Sequence, residues 1–326
     1  MKLKKGLVPG FYYFYQVVPY RIAPPMKKVR IPFIFLLFPL LVLGQIPLGY
    51  NLQKDDVFLI KQEAQQVIVQ ELDGATHEVK NEINGILEFK VLGETDGNYD
   101  IAMSFKDLNL KIVSSIQGEL MNVSAGEIKE GDLQSKIFGC LLDYPVRMTL
   151  AKNGHILKVV GGDSLVHKMA EASGLEDEFS LNMMKKSLEK EFGSKALSDS
   201  YEQMTFIYPS EEVHIGDTWE NTFSGKLSTK NEWTLEGYKN QTARIVGSAE
   251  LVMDIKEPTS TMKLQGTQET EISTDLKTGF INLMKVNGLA KGKSTIPQMG
   301  LGEIPTTITS TIVYQRITNT YVQQEY

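Results

Sequence analysis

Gly162-Asp163-Ser164-Leu165 follows an apolar, strand-like run at residues 156–160 and opens a stretch of helical spacing. A serine at such a junction can attack an acyl carbon when a histidine takes its proton and amide groups hold the oxyanion. The four histidines are His77, His155, His167 and His214, and no Asp-x-x-His occurs anywhere. Asp163 or Ser164 therefore reads as a helix N-cap, with ester hydrolysis as the alternative. Asp96-Gly97-Asn98-Tyr99-Asp100, with Asp107 at the twelfth place, has the start of a calcium loop. Such a loop needs glycine at its sixth place, where this chain has Ile101 inside an alternating strand, so a hairpin is expected. The histidines lack the i, i+4 spacing of zinc sites, and Cys140 has no second thiol. No phosphate-cradling glycine loop occurs. The expectation is a chain with no catalytic set, no metal site and no cofactor.

The elements that would position any site begin after a targeting segment. Met26-Lys27-Lys28-Val29-Arg30 is cationic, and residues 31–43 are apolar apart from Pro32 and Pro39. That is a signal-peptide pattern, shorter than the ~20 residues of a membrane-spanning helix. Cleavage is expected between Gly44 and Gln45. A lipid-anchor cysteine is missing there, so no stable membrane anchor is expected after cleavage. Residues 1–25 match neither a signal nor a domain and read as an upstream extension before a start at Met26. The whole chain has 326 residues and a formal charge of −6. Residues 1–44 carry seven basic side chains and no acidic ones, so their removal leaves 282 residues at −13. So acidic a protein lacks the Lys/Arg surface that nucleic acid requires. A single cysteine in an exported chain excludes an intramolecular disulfide.

Residues 45–162 read as a β-rich N-terminal half. Tyr99, Ile101, Met103 and Phe105 alternate with polar or small residues, and Asp73-Gly74, Asn84-Gly85, Asp96-Gly97 and Asn153-Gly154 mark tight turns. Residues 163–202 change period. Leu165, Met169 and Ala172 before Gly174 predict one helix with a left-handed stop, and Leu181, Met184, Leu188 and Phe192 predict a second. Residues 203–326 return to strand texture and end on the Thr/Ile-rich run 306–313. The predicted class is α+β, mostly β: two curved antiparallel sheets with a central helical insert. The halves also echo each other. Residues 52–58 parallel 213–219, and 150–156 parallel 276–281, which suggests duplicated half-barrels.

Tyr208-Pro209 followed by Gly216-Asp217-x-Trp219 predicts a rigid entry, a turn whose Asp217 accepts backbone N–H bonds, and a tryptophan that fills the core or stacks on a ligand. With residues 52–58, these motifs resemble an uncharacterised family of exported bacterial β-rich proteins, a domain-of-unknown-function group. Asp55 stands where that pattern has glycine. The resemblance implies a fold spanning most of residues 50–315 rather than an activity. In architecture it is similar to periplasmic lipoprotein carriers, whose half-barrels shelter acyl chains. Gly162-Asp163-Ser164-Leu165 itself looks like the nucleophile block of GDSL-type esterases.

Two readings of function follow. In the first, Met169, Met183, Met184, Leu188 and Phe192, with Trp219, border an apolar cleft for a lipid or other apolar ligand, because thioethers adapt to irregular apolar shapes. In the second, the chain is an interaction module that pairs with an envelope protein through its Thr-rich last strand or an open edge. Both place it in the periplasm or outside the cell. The mature N-terminus is expected at Gln45, and intact-mass measurement of the exported product checks this; a product retaining residues 26–44 would refute cleavage.

Overall fold

A computed structural model of the chain describes residues 48–318, apart from 73, 258, 259, 298, 299 and 301. The upstream extension, the signal segment and Asp73 lie outside these residues. In chain order the elements are β1 (Val57–Leu72), β2 (Ala75–Thr95), β3 (Asn98–Ser114), β4 (Gly118–Ser124), α1 (Leu133–Gly139), β5 (Val146–Leu150) and β6 (Ile156–Val160). Three helices follow, α2 (Gly162–Ala172), α3 (Glu178–Phe192) and α4 (Ser194–Thr205). The remaining strands are β7 (Thr218–Phe223), β8 (Leu227–Lys239), β9 (Thr242–Glu257), β10 (Ser260–Asp275), β11 (Ile281–Thr295) and β12 (Ile304–Ile317). No described helix is long and apolar enough to cross a membrane.

The class is mostly β with a central helical insert, as the residue pattern predicts. The two strand sets are wings of one antiparallel sheet, ordered β6-β5-β3-β2-β1-β12-β11-β10-β9-β8-β7, with β4 also on β3. The seam between them is the β1–β12 ladder, from Leu59 opposite Ile317 to Gln70 opposite Thr306. Local patterning cannot show a pairing so distant in sequence, which is why two sheets were expected. The same seam puts the Thr-rich β12 in the middle of the sheet, not at an edge open to a partner. At the far ends, α4 touches both β6 and β7. A helix is ~10 Å across, so the sheet is rolled until one helix spans the gap between its outermost strands.

The echo between the halves is a repeated hydrogen-bond pattern. Before β1, Gln53 N donates to Asp56 Oδ2 at 2.8 Å, while Asp55 N donates to Val91 O and Val91 N to Asp56 O, both at 2.9 Å. Before β7, His214 N donates to Asp217 Oδ2 at 2.8 Å, Gly216 N to Leu235 O at 2.8 Å and Leu235 N to Asp217 O at 3.2 Å. Asp55 takes φ 71° where Gly216 takes φ 93°, a left-handed conformation that aspartate tolerates better than most residues. The turns that follow match as well. Asp96 and Gly97 join β2 to β3, and Asn240 and Gln241 join β8 to β9, all four at positive φ. Both hairpins carry a bulge, beside Gly93 and beside Gly237. Thus β1-β2-β3-β5-β6 and β7-β8-β9-β10-β11 run in the same order along the sheet. β12 fills one junction between the two sets, and α4 the other.

The core lies between the rolled sheet and the helices. Alternation puts Tyr99, Ile101, Met103 and Phe105 inside, and the same face carries Phe58, Leu87, Phe89, Trp233 and Phe280, all buried. Phe58 stacks on Phe280 at 4.1 Å between centroids. The segment entering β1 threads between the two repeated turns: Tyr50 N donates to Lys152 O at 2.8 Å, and Asn51 N to Thr278 O at 2.9 Å. Tyr50 Oη donates to Thr205 O at 3.2 Å, and Tyr208 Oη donates to Gly279 O. These crossings leave no room at the turns. Gly154 has φ 94°, and a Cβ there would lie 1.7 Å from Thr205 O.

Two outcomes follow from this core. Gly154→Ala combines a positive φ with a backbone collision and should cost about 2 kcal/mol or more of unfolding free energy, read by denaturant titration. A loss under a few tenths would contradict the packing. Burial pushes Tyr314 up to about 12 and holds Tyr50, Tyr201 and Tyr208 well above the usual phenol range. The unfolded chain ionises near ~10, so this stability is complete below that pH and is lost as pH climbs through 12. The melting temperature should fall steeply over that interval, with phenolate absorbance for these tyrosines rising only as the protein unfolds.

Candidate functional site: a cleft on the inner face of the sheet

Register sorts the inner face into layers. Nearest the helices is the aromatic core. Beyond it runs a polar rung, in which Gln66 of β1 stands opposite both Asn81 of β2 and Ser310 of β12, continuing through Gly288 to Gln268. Beyond the rung is a second apolar cluster of Leu251, Leu264, Ala290 and Ile308, with the partly buried Ile68, Leu227, Met253 and Met262 packed on it. Close curvature is possible here because glycine occupies the inner face at the tightest points. A Cβ on Gly266 would meet Leu289 O at 1.8 Å, and one on Gly292 would meet Lys263 O at 2.1 Å.

Between this second cluster and the helices lies a cleft of about 820 Å³. Its helical wall is polar: Lys186, Glu189 and Lys190 of α3, and Lys195, Asp199 and Gln203 of α4. Its sheet side is Gln66, Phe223, Leu227 and Met253. Leu227 and Met253 therefore belong both to the cleft and to the apolar cluster beneath it. Ion pairs frame the rim. Lys226 Nζ meets Glu191 Oε1 at 2.6 Å, and Lys190 bonds Glu257, holding that carboxyl below its usual range. Lys195 and Asp199 pair along α4 at 2.6 Å. Exposed pairs of this kind add little stability; their effect is to tie α3 to the ends of β8 and β9 across the opening.

The helices explain where the sequence-derived candidates sit. On α2, Leu165, Val166, Met169 and Ala170 are buried, so Met169 is core. On α3, Leu188 is buried and Met184 and Phe192 pack on the core partly covered, Phe192 edge-on to Phe138 at 5.7 Å. Met183 points away and is 55% exposed. Trp219 lies on β7 opposite Trp233, half-buried, with Nε1 donating to Ile207 O at 3.1 Å; Trp233 is the fully buried indole. The fold thus brings Met169, Met184, Leu188, Phe192 and Trp219 onto one core and leaves Met183 apart from them. None of the six lines the cleft. The cleft's apolar floor consists of alternate strand residues whose inward direction no local pattern marks.

The motif residues fall out as follows. Gly161, at φ 104°, caps α2 without a side-chain bond, in place of the expected Asp163 or Ser164. Asp163 instead accepts from Ser194 N at 3.3 Å, serving the start of α4. A Cβ on Gly162 would lie 2.4 Å from that same nitrogen, so both glycines answer to local geometry. Ser164 is exposed on the first turn of α2, with no hydrogen bond to a histidine or carboxylate among the described residues. Asp177 caps α3, accepting from Ser180 N at 2.7 Å. Cys140 is partly buried against the core, and no group of three or more His, Cys, Asp or Glu side chains among the described residues is placed to hold a metal ion.

The chain has no match among curated proteins. Among solved structures, it is similar to the lipovitellin of a study of lipid–protein interactions, with 13% identity over 82% of this chain and a TM-score of 0.47. It spans about a quarter of that protein, 26%. It also matches the translocator domain of the autotransporter NalP from Neisseria meningitidis, at 9% identity over 83% of this chain and 91% of that one, with a TM-score of 0.21. A family model covers residues 96–281, more than half of the chain, in accord with the resemblance carried by its turn motifs. The chain belongs to DUF6263, a family of unknown function.

Proposed function

We propose that this chain is a non-catalytic protein of the cell envelope that shelters the apolar part of a lipid in the inner-face cleft. The observation that carries the reading is the double membership of Leu227 and Met253, which line the opening and continue into the apolar cluster of Leu251, Leu264 and Ile308. An alkyl chain laid there leaves water along its length, worth about 0.8 kcal/mol per methylene, while its polar end stays beside the paired charges of α3 and α4. Concave, largely preformed sites with an apolar floor and a few polar groups are the usual form of small-ligand sites. The non-catalytic part is supported by Ser164, which is exposed and has neither a histidine nor a carboxylate bonded to it among the described residues. Export is supported by the cationic and apolar segments at residues 26–43.

A second reading, pairing with another envelope protein, is favoured by β4, which the sheet path leaves paired to β3 alone, with Ile116 and Leu120 exposed nearby. One set of measurements separates the two. Gently purified protein should carry a lipid visible by native mass spectrometry and should bind an apolar fluorescent dye. Leu227→Asp and Met253→Asp, both at partly covered positions, should weaken dye binding about tenfold or more while the fold persists by circular dichroism. Dye-free, lipid-free protein that crosslinks in cells through β4 would refute the first reading in favour of the second.

A further inference from the structure

One wall of the cleft is held far more loosely than the rest. Of the three central helices, α2 buries Leu165, Val166, Met169 and Ala170, and α4 buries Leu197, Tyr201, Met204 and Thr205, whereas α3 buries Leu188 alone. α4 rests on β6 and β7, while α3 packs mainly on α2 and α4 rather than on a strand. Glycines stand at both ends of α3. Gly174 takes φ 72° in the link from α2. At Gly193 a Cβ would lie 2.6 Å from Glu189 O, so α3 turns into α4 through a residue that must lack a side chain. What ties α3 to the sheet across the opening is charge. Lys190 bonds Glu257 at the end of β9, and Glu191 Oε1 meets Lys226 Nζ, just before β8, at 2.6 Å. Lys190, Glu191 and Lys226 all line the cleft, so both pairs lie on its border. Exposed pairs like these each shift an equilibrium about fivefold at most. A tie that weak can be released and remade. Opening uncovers Leu188 and the partly covered Met184 and Phe192, so the closed form predominates and the pairs set how often the wall parts from the sheet.

Resting on the cleft reading above, we infer that α3 is a lid over the lipid site, latched to the sheet by the Lys190–Glu257 and Glu191–Lys226 pairs. The latch holds with the cleft empty or filled, so loosening it speeds entry and release together and leaves affinity as it was. The test follows binding of Nile red to the full mature protein by stopped-flow fluorescence. That apolar dye carries no charge, so salt acts on the protein and not on the probe. Raising sodium chloride from about 0.05 M to about 0.5 M should speed both association and dissociation about threefold or more. Lys226→Glu and Glu191→Lys should each do the same at low salt. Combined, they should restore the slow rates, a rescue that loss of a direct contact with the dye would not give. Lys226→Gln decides if the reversed-charge variants do not fold, and it should speed both rates about twofold. Rates that ignore salt and these variants, or variants that change affinity through one rate alone, overturn the lid and leave the apolar cleft standing. Absence of Nile red binding overturns the cleft reading and the lid together.

Discussion

The ladder between β1 and β12 is the interaction on which the rest of the molecule depends. It joins residues that are 258 positions apart at Leu59 and Ile317, so its closure entropy must be met before its hydrogen bonds form. Without it the two five-strand sets would each face solvent along a flank of long strands. With it the inner face becomes continuous, and the apolar contact of Ile68 with the Leu251 and Ile308 cluster forms directly across the seam. The polar rung crosses the same seam, from Gln66 to Ser310. The floor of the cleft lies mostly on β7–β12, and the join brings Gln66 and Ile68 of β1 up to it.

The repeated pattern gives this join its meaning. Two sets of strands in the same order, placed head to tail around a rolled sheet, leave two junctions. A strand fills one, and a helix fills the other. A strand continues the hydrogen-bonded surface, whereas a helix satisfies its own backbone and can stand off from the sheet. The open volume lies on the side of the helix, with α3 and α4 as its wall. The tyrosines that precede the two repeats lock this arrangement, since Tyr50 bonds the end of α4 and Tyr208 bonds the turn before β11.

How much of this could be read from the residues varies by the range of the interaction involved. The period-2 run Tyr99 to Phe105, the hairpin at Asp96-Gly97, the stop at Gly174 and the Asp217 turn are local, and each stands as its residue types require. Asp55 was legible only as an exception, and its positive φ shows it doing the work of the expected glycine. The helical spacing of Leu197, Tyr201 and Met204 was present, but Gly193 and the Ser/Asp run around it obscured α4. The expected cap at Asp163 or Ser164 falls to Gly161 because the helix starts earlier, at Gly162, which packs against the start of α4. The cleft was beyond sequence reading for a plainer reason. Leu227 and Met253 alternate like every other inward residue of β8 and β9, and only the register of the assembled sheet separates a covered position from an open one.

The position of α4 also bears on solubility. Unpaired strand margins invite addition of further strands from other chains, and a rolled sheet with two free margins would have two such invitations. Here a single helix of 12 residues rests on the two outermost strands of the sheet path, β6 and β7, at once, and leaves β4 to one side. Local melting of that helix would expose the pair together, so this short element guards both of those margins at once.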